Sequence, residues 1–246
     1  MQLGWRAGAA SPLRAAVRHR AGAPSELVCA RFIDEFLSGE LQDGTIDCVL
    51  SLGAGLDARP WRLPLPDRLR WVEVDFAPIL DYKHGILKEV APRCRIERII
   101  ADVNDKSERQ RVLETARESS NRVVLLTEGL LFYLPGETVC GLASETAGFH
   151  RWILDIPPAT SVLLSFGGDS LRQANQFRHE TRLEGPAILE AIGNSGWTAA
   201  ASKTFMKDGA LFAIQRMTKS GWVPDSNTAR PSPDDPAGVW LFRRTV

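Results

Sequence analysis

Two glycines and a set of acids at matched positions carry the chemistry open to this sequence. Val49-Leu50-Ser51-Leu52 runs directly into Gly53-Ala54-Gly55, and Asp75 stands twenty residues past Gly55 at the end of a second run, Leu69-Arg70-Trp71-Val72-Glu73-Val74-Asp75. Glycine lets the backbone turn sharply and removes the Cβ that would hold a ligand away from the main chain. An acid at the strand end can accept hydrogen bonds from both hydroxyls of a ribose. Glu128 ends another apolar run, Val123-Val124-Leu125-Leu126-Thr127. An acid that terminates a buried strand requires a partner, and a bound cationic amino acid would supply one to Asp75 and to Glu128.

The residues after the glycines separate the cofactors that such a turn serves. Gly53-x-Gly55-x-x-Ala58 fits the loose dinucleotide pattern, in which a long helix opens at the glycine loop and holds a pyrophosphate at its N-terminus. Pro60, Pro64 and Pro66 follow at once, so the helix here is limited to one or two turns. Gly-x-Gly with a strand-end acid is shared by nicotinamide and S-adenosylmethionine sites. The short helix favours S-adenosylmethionine, whose recognition needs no phosphate cradle. A nicotinamide-dependent Rossmann oxidoreductase is the rival reading. It lacks a Tyr-x-x-x-Lys, because Tyr82 and Tyr133 are the only tyrosines. A third reading is a non-catalytic binding module that keeps the fold without turnover.

The elements that must hold these residues alternate regularly. Apolar runs predict strands over 46–52, 69–75, 94–100, 121–127 and 152–156. Helical patterns fall between or before them, over 25–39, from Pro78 to about 90, over 107–118 with Ser107 as cap, and from Pro135 toward 149. This order predicts an α/β fold with a doubly wound, mostly parallel sheet and helices on both faces. In such a sheet the carboxyl ends of the strands line the ligand crevice. The last third is less regular. It reads as helix and loop over 169–182, a short helix over 185–193, a strand over 197–205, a helix over 208–218, an exposed loop over 223–236 and a final strand over 239–243. With no internal repeat and no second apolar core, one globular unit is expected, with 1–40 as an N-terminal helical cap and 41–246 as the cofactor-binding domain.

Composition narrows the partners. Thirty basic and thirty acidic residues cancel over 246, which gives no field for nucleic acid or an anionic membrane. Cys29, Cys48, Cys94 and Cys140 are widely spaced without metal-ligand neighbours. Cys48 and Cys94 fall in apolar strand-like runs and read as buried reduced thiols of a cytoplasmic protein, and no metal is expected. No apolar run reaches transmembrane length, and no secretory leader is seen. Arg6, Arg14, Arg18 and Arg20 precede the first acid, Glu26, which fits a solvated or anion-facing helix better than a transit peptide.

Three blocks, in order, carry a resemblance. Ser51-Leu-Gly-Ala-Gly-Leu-Asp57-Ala-Arg59-Pro-Trp-Arg62-Leu, Trp71-Val-Glu-Val-Asp75 and Thr127-Glu128-Gly-Leu-Leu-Phe-Tyr133-Leu-Pro resemble the leucine carboxyl methyltransferase family, which includes bacterial polyketide O-methyltransferases. The resemblance spans roughly 25–160. It implies the class I S-adenosylmethionine-dependent, Rossmann-like fold, seven strands with the last antiparallel. It implies that Gly53 and Gly55 lie against the methionine part of S-adenosyl-L-methionine, that Asp75 takes the ribose, that Asp102 and the Val103 backbone read the adenine, and that Glu128 faces the methionyl end. Family members carry Arg-Thr-x-x-x-Asp before the first strand, whose Arg pairs with the cofactor carboxylate. Here Cys29 stands in that place, with Arg31, or else Arg18 or Arg20, as its substitute, and Ala58 replaces a Thr. The chain begins closer to the first strand than many relatives do, so part of an N-terminal lid is expected to be missing.

Methyl transfer from a sulfonium needs alignment and exclusion of water. A carboxylate acceptor is already ionised at neutral pH and needs no base, whereas a phenol would need one. His19, His84, His150 and His179 are scattered, none at a predicted strand end. An O-methyltransferase acting on a small-molecule or peptide carboxylate is therefore expected. Arg59, Arg62 and Tyr133, in loops at the active edge, are the candidates to hold the anionic acceptor.

Overall fold

Runs that are apolar on both faces are stable only as the inner strands of a covered sheet, and they take those places here. The computed structural model describes residues 24–118, 120, 122–156, 180–205, 208 and 236–244. β1 (Cys48–Leu52) and β4 (Val123–Thr127) are buried at every residue and lie side by side at the centre of the sheet. β2 (Arg70–Asp75), β3 (Arg95–Ile100), β5 (Arg151–Ile156), β6 (Thr198–Thr204) and β7 (Gly238–Arg243) complete seven strands in the order β3-β2-β1-β4-β5-β7-β6. β7 runs antiparallel to both neighbours, and the pairs from β3 to β5 are parallel. The described strands start within two residues of their expected positions.

Between β1 and β4 the chain order reverses, because β1 pairs with β2 on one side and β4 on the other. A crevice opens at such a switch point, beyond the carboxyl ends of the strands.

Alternation along each strand sends side chains to two apolar layers. Leu50, Leu52, Val72 and Leu125 pack with Val112 and Leu113 of α4 (Lys106–Glu118), Val139 and Leu142 of α5 (Gly136–Glu145), and Ile188 and Ile192 of α6 (Gly185–Asn194). On the other face Val49, Trp71, Val124, Leu126 and Ile153 pack with Val28, Phe32, Ile33 and Leu37 of α1 (Pro24–Leu41). The segment expected to be a cap thus contributes a helix laid directly on the sheet. α2 (Arg59–Arg62) is a single turn, and α3 (Ala77–Leu87) carries Pro78 in its first turn, where its missing N–H costs nothing.

Two expectations change in detail. Ser107 does not cap α4; Asp105 does, accepting the Glu108 N–H at 3.0 Å and the Ser107 hydroxyl at 2.6 Å. Aspartate at this position satisfies a helix-end amide that serine inside the first turn cannot reach. Helices α3 and α5 end earlier than their apolar patterns suggested, at Leu87 and Glu145. The helix expected over 208–218 falls outside the described residues apart from 208, the loop over 223–236 apart from 236, and the segment 169–182 apart from 180–182. Arg18 and Arg20 also lie outside them. No described helix is long and apolar enough to cross a membrane.

Candidate functional site

The turn after β1 is built by two residues in the left-handed region, Gly53 at φ 63° and Gly55 at φ 44°. A Cβ on Gly53 would come within 3.0 Å of the Leu130 side chain, and one on Gly55 would meet only the Gly53 carbonyl oxygen at 3.8 Å. The turn is fastened to the tip of β2. Asp75 Oδ2 accepts the Gly55 N–H at 2.8 Å, its Oδ1 accepts the Phe76 N–H at 2.7 Å, and the Val74 carbonyl accepts the Ala54 N–H at 3.0 Å. The acid expected to take a ribose is therefore oriented by the glycine loop itself.

Beyond the turn, one arginine gathers three acids. Arg59, 1% exposed, donates through Nε to Asp34 Oδ1 at 2.7 Å, through Nη1 to Glu128 Oε2, and through Nη2 to the Ala30 carbonyl at 3.2 Å. Asp57 Oδ2 lies 3.1 Å from Nη1, but no hydrogen bond is aimed at it. Burial opposes the charge of Arg59, yet Glu128, Asp57 and Asp34 outweigh that and hold it firmly cationic. Arg62 meets Asp34 in a fork, Nη1 to Oδ2 at 2.5 Å and Nη2 to Oδ1 at 2.7 Å. Three carboxylates against two guanidiniums leave the cluster one negative charge in excess.

This cluster borders a cavity of about 420 Å³ whose lining includes Gly53, Gly55, Asp57, Arg59, Arg62 and Glu128. Glu128 sits on a turn with Gly129 at φ 64°, and the Gly129 N–H donates to Asp155 Oδ1 at 2.7 Å. Asp155, at the end of β5, is buried. Burial, reinforced by the Glu128 carboxylate, pushes its carboxyl up to about 7 against the pull of the Gly129 amide and Arg59.

The next strand tip is braced from behind. Asp102 Oδ1 accepts the Asn104 N–H at 2.8 Å, and the Asp102 N–H donates to Glu108 Oε2 at 2.7 Å. Arg109, 4% exposed, donates Nη1 to the Val103 carbonyl at 2.7 Å while its Nε and Nη2 fork onto Glu145 at 2.7 and 3.1 Å. The loop carrying Asp102 and Val103 is thereby pinned to α4 and α5.

Sequence-predicted residues thus divide. Gly53, Gly55, Glu128, Arg59 and Arg62 share one cavity, Asp75 joins it through Gly55, and Asp102 and Val103 stand at the neighbouring strand tip. Arg59, expected to meet an anionic acceptor, is instead sealed among protein acids. Arg31 pairs with Glu35 at 2.8 Å, and neither it nor Tyr133 lines the cavity. Cys29 is buried on α1, one residue before the cavity-lining Ala30. Asp34, Arg109, Glu145 and Asp155 were not singled out by sequence reasoning. Asp34 had a signal, since it ends the stretch compared with Arg-Thr-x-x-x-Asp; the other three lie in ordinary helix or strand patterns.

The family model described as leucine carboxyl methyltransferase matches residues 5–147, more than half of the chain. The chain belongs to the leucine carboxyl methyltransferase family. A Streptomyces avermitilis protein provisionally named an S-adenosyl-L-methionine-dependent methyltransferase is 30% identical over 151 residues, 59% of this chain and 53% of that protein. A Frankia alni protein with the same provisional name is 35% identical over 140 residues, 55% and 49% of the two chains. The chain spans about half the length of these relatives. The crystal structure of a DUF574 family protein from Streptomyces avermitilis superimposes with a TM-score of 0.56 at 18% identity, covering 89% of this chain and 83% of that one, and shares the fold.

Proposed function

We propose that this chain is an S-adenosylmethionine-dependent O-methyltransferase that methylates a carboxylate of a small, polyketide-like molecule or of a peptide end. The observation that carries the cofactor reading is the cavity beside the glycine turn, bordered by an acid-rich cluster with one uncompensated negative charge. The methionyl sulfonium end of S-adenosylmethionine bears an ammonium, a carboxylate and a sulfonium, hence one positive charge in excess, and the donor set complements it. α2 is a single turn, and a helix that short gives a pyrophosphate little dipole or amide array to bind. That favours this cofactor over a nicotinamide dinucleotide.

In this reading Gly53 and Gly55 admit the ligand against the main chain, Glu128 accepts its ammonium, Asp75 its ribose hydroxyls, and the loop of Asp102 and Val103 its adenine. The bound cofactor would supply an electrophilic methyl group that needs no further activation. The chain's own task is to align an acceptor and exclude water. Arg59 contributes indirectly, by fixing Glu128 and Asp57. A carboxylate acceptor needs no proton removed at neutral pH, in keeping with a cavity lining that holds no histidine among the described residues. The acceptor class is tested by label transfer from methyl-labelled S-adenosylmethionine to a panel of carboxylic acids and phenols. Labelled, base-labile esters are expected, and label confined to phenolic ethers would refute the carboxyl assignment.

A further inference from the structure

We infer that Arg62 grips the carboxylate of the ligand's amino-acid end, with Asp34 as the residue that aims it. This rests on the cofactor reading above and assigns the anionic half of a zwitterion for which that reading named no partner. Among the described residues, Arg59 and Arg62 are the only cations in the cavity lining. The Arg59 side chain is 2% exposed, with all three nitrogens engaged, so it has no surface to offer. The Arg62 side chain is 43% exposed. A guanidinium has five N–H donors. Asp34 takes one from each terminal nitrogen of Arg62, which leaves Nε–H and the outer N–H of each terminal nitrogen for a second carboxylate.

Asp34 makes this arrangement rigid. Its Oδ1 accepts from both Arg59 and Arg62, and Arg59 in turn holds Glu128. The chain Arg62–Asp34–Arg59–Glu128 therefore sets a cation and an anion on the same cavity, joined by one continuous ion network. An amino acid's ammonium and carboxylate need such a pair. Arg31 is poorly placed for the role, since its guanidinium is held by Glu35, which also pairs with Lys203, and it does not line the cavity.

The test is a calorimetric titration, with no acceptor present, of wild type, Arg62→Gln and Arg62→Lys. The ligands are S-adenosylhomocysteine and its decarboxylated analogue, which keeps the amine, ribose and adenine. Arg62→Gln is expected to lose about tenfold or more in affinity for S-adenosylhomocysteine, the scale of a charge-assisted hydrogen bond. Arg62→Lys should fall between, as a point charge replaces the fork. The decarboxylated analogue should bind wild type and Arg62→Gln within about twofold of each other, for it has nothing for Arg62 to hold. Equal losses for both ligands, or an unchanged affinity for S-adenosylhomocysteine, would overturn the assignment while leaving the cofactor reading intact. Failure of wild type to bind either ligand would overturn both.

Discussion

Asp34 on α1 accepts a hydrogen bond from Arg59 Nε at 2.7 Å, across a separation of 25 residues. That contact joins the helix ahead of the sheet to the loop after its first strand. Through Arg59 it reaches Glu128 at the tip of β4, so three segments meet on one guanidinium. The cavity-lining acids Asp57 and Glu128 are held by a residue that itself has almost no surface.

Removing that guanidinium exposes its cost. Arg59→Met leaves Asp57 and Glu128 without their counter-charge and Asp34 with Arg62 alone, and breaking a buried network in this way costs about 3–5 kcal/mol. Urea unfolding at pH 7 measures the loss; a value below about 1 kcal/mol would show that the cluster is not mutually dependent.

Asp155 makes stability depend on pH. Burial raises its carboxyl from 3.8 to about 7, so the folded state keeps a proton that the unfolded chain releases. Its contribution to stability is full below about pH 4 and is lost as pH rises toward 7, by roughly 4 kcal/mol at about 1.4 kcal/mol per pH unit. Asp155→Asn still offers the Gly129 N–H an acceptor but cannot ionise. The variant should flatten the stability profile between pH 4 and 7 and exceed wild type at pH 8, as read by denaturant midpoints.

Arg109 holds the loop that carries Asp102 and Val103. Arg109→Met frees the Val103 carbonyl and strands Glu145, with an expected loss of about 3 kcal/mol in stability and weaker binding of adenosine-containing ligands. Thermal unfolding and titration with S-adenosylhomocysteine check the two effects separately.

Asp75→Ala removes the acceptor shared by the Gly55 and Phe76 amides as well as the proposed ribose contact. Affinity for S-adenosylhomocysteine should fall by at least ~1.5 kcal/mol. An unchanged dissociation constant would remove Asp75 from the ribose site.

The sequence spoke most plainly where one physical demand dominates. Central strands must be apolar on both faces, and a turn at φ above zero selects glycine, so β1, β4, Gly53 and Gly55 could be read directly from residue types. The acids at strand tips followed from the same pattern. Side-chain partnerships were harder to read, because they depend on which distant segments meet. Nothing local says that Arg59 turns toward α1 rather than outward, or that Arg109 reaches back to Val103. Arg62 looked equivalent to Arg59 until their exposures, 43% and 2% of each side chain, set them apart. Asp155 resembled any strand-end acid, and its enclosure, reinforced by the Glu128 carboxylate, raises its proton affinity.

The most direct measurement is equilibrium titration of the purified wild-type chain with S-adenosylhomocysteine and, in parallel, with NAD. Saturable one-to-one binding of S-adenosylhomocysteine, with no heat from NAD, is the expected result. Saturable binding of NAD alone would contradict it and reassign the cavity to a nicotinamide dinucleotide.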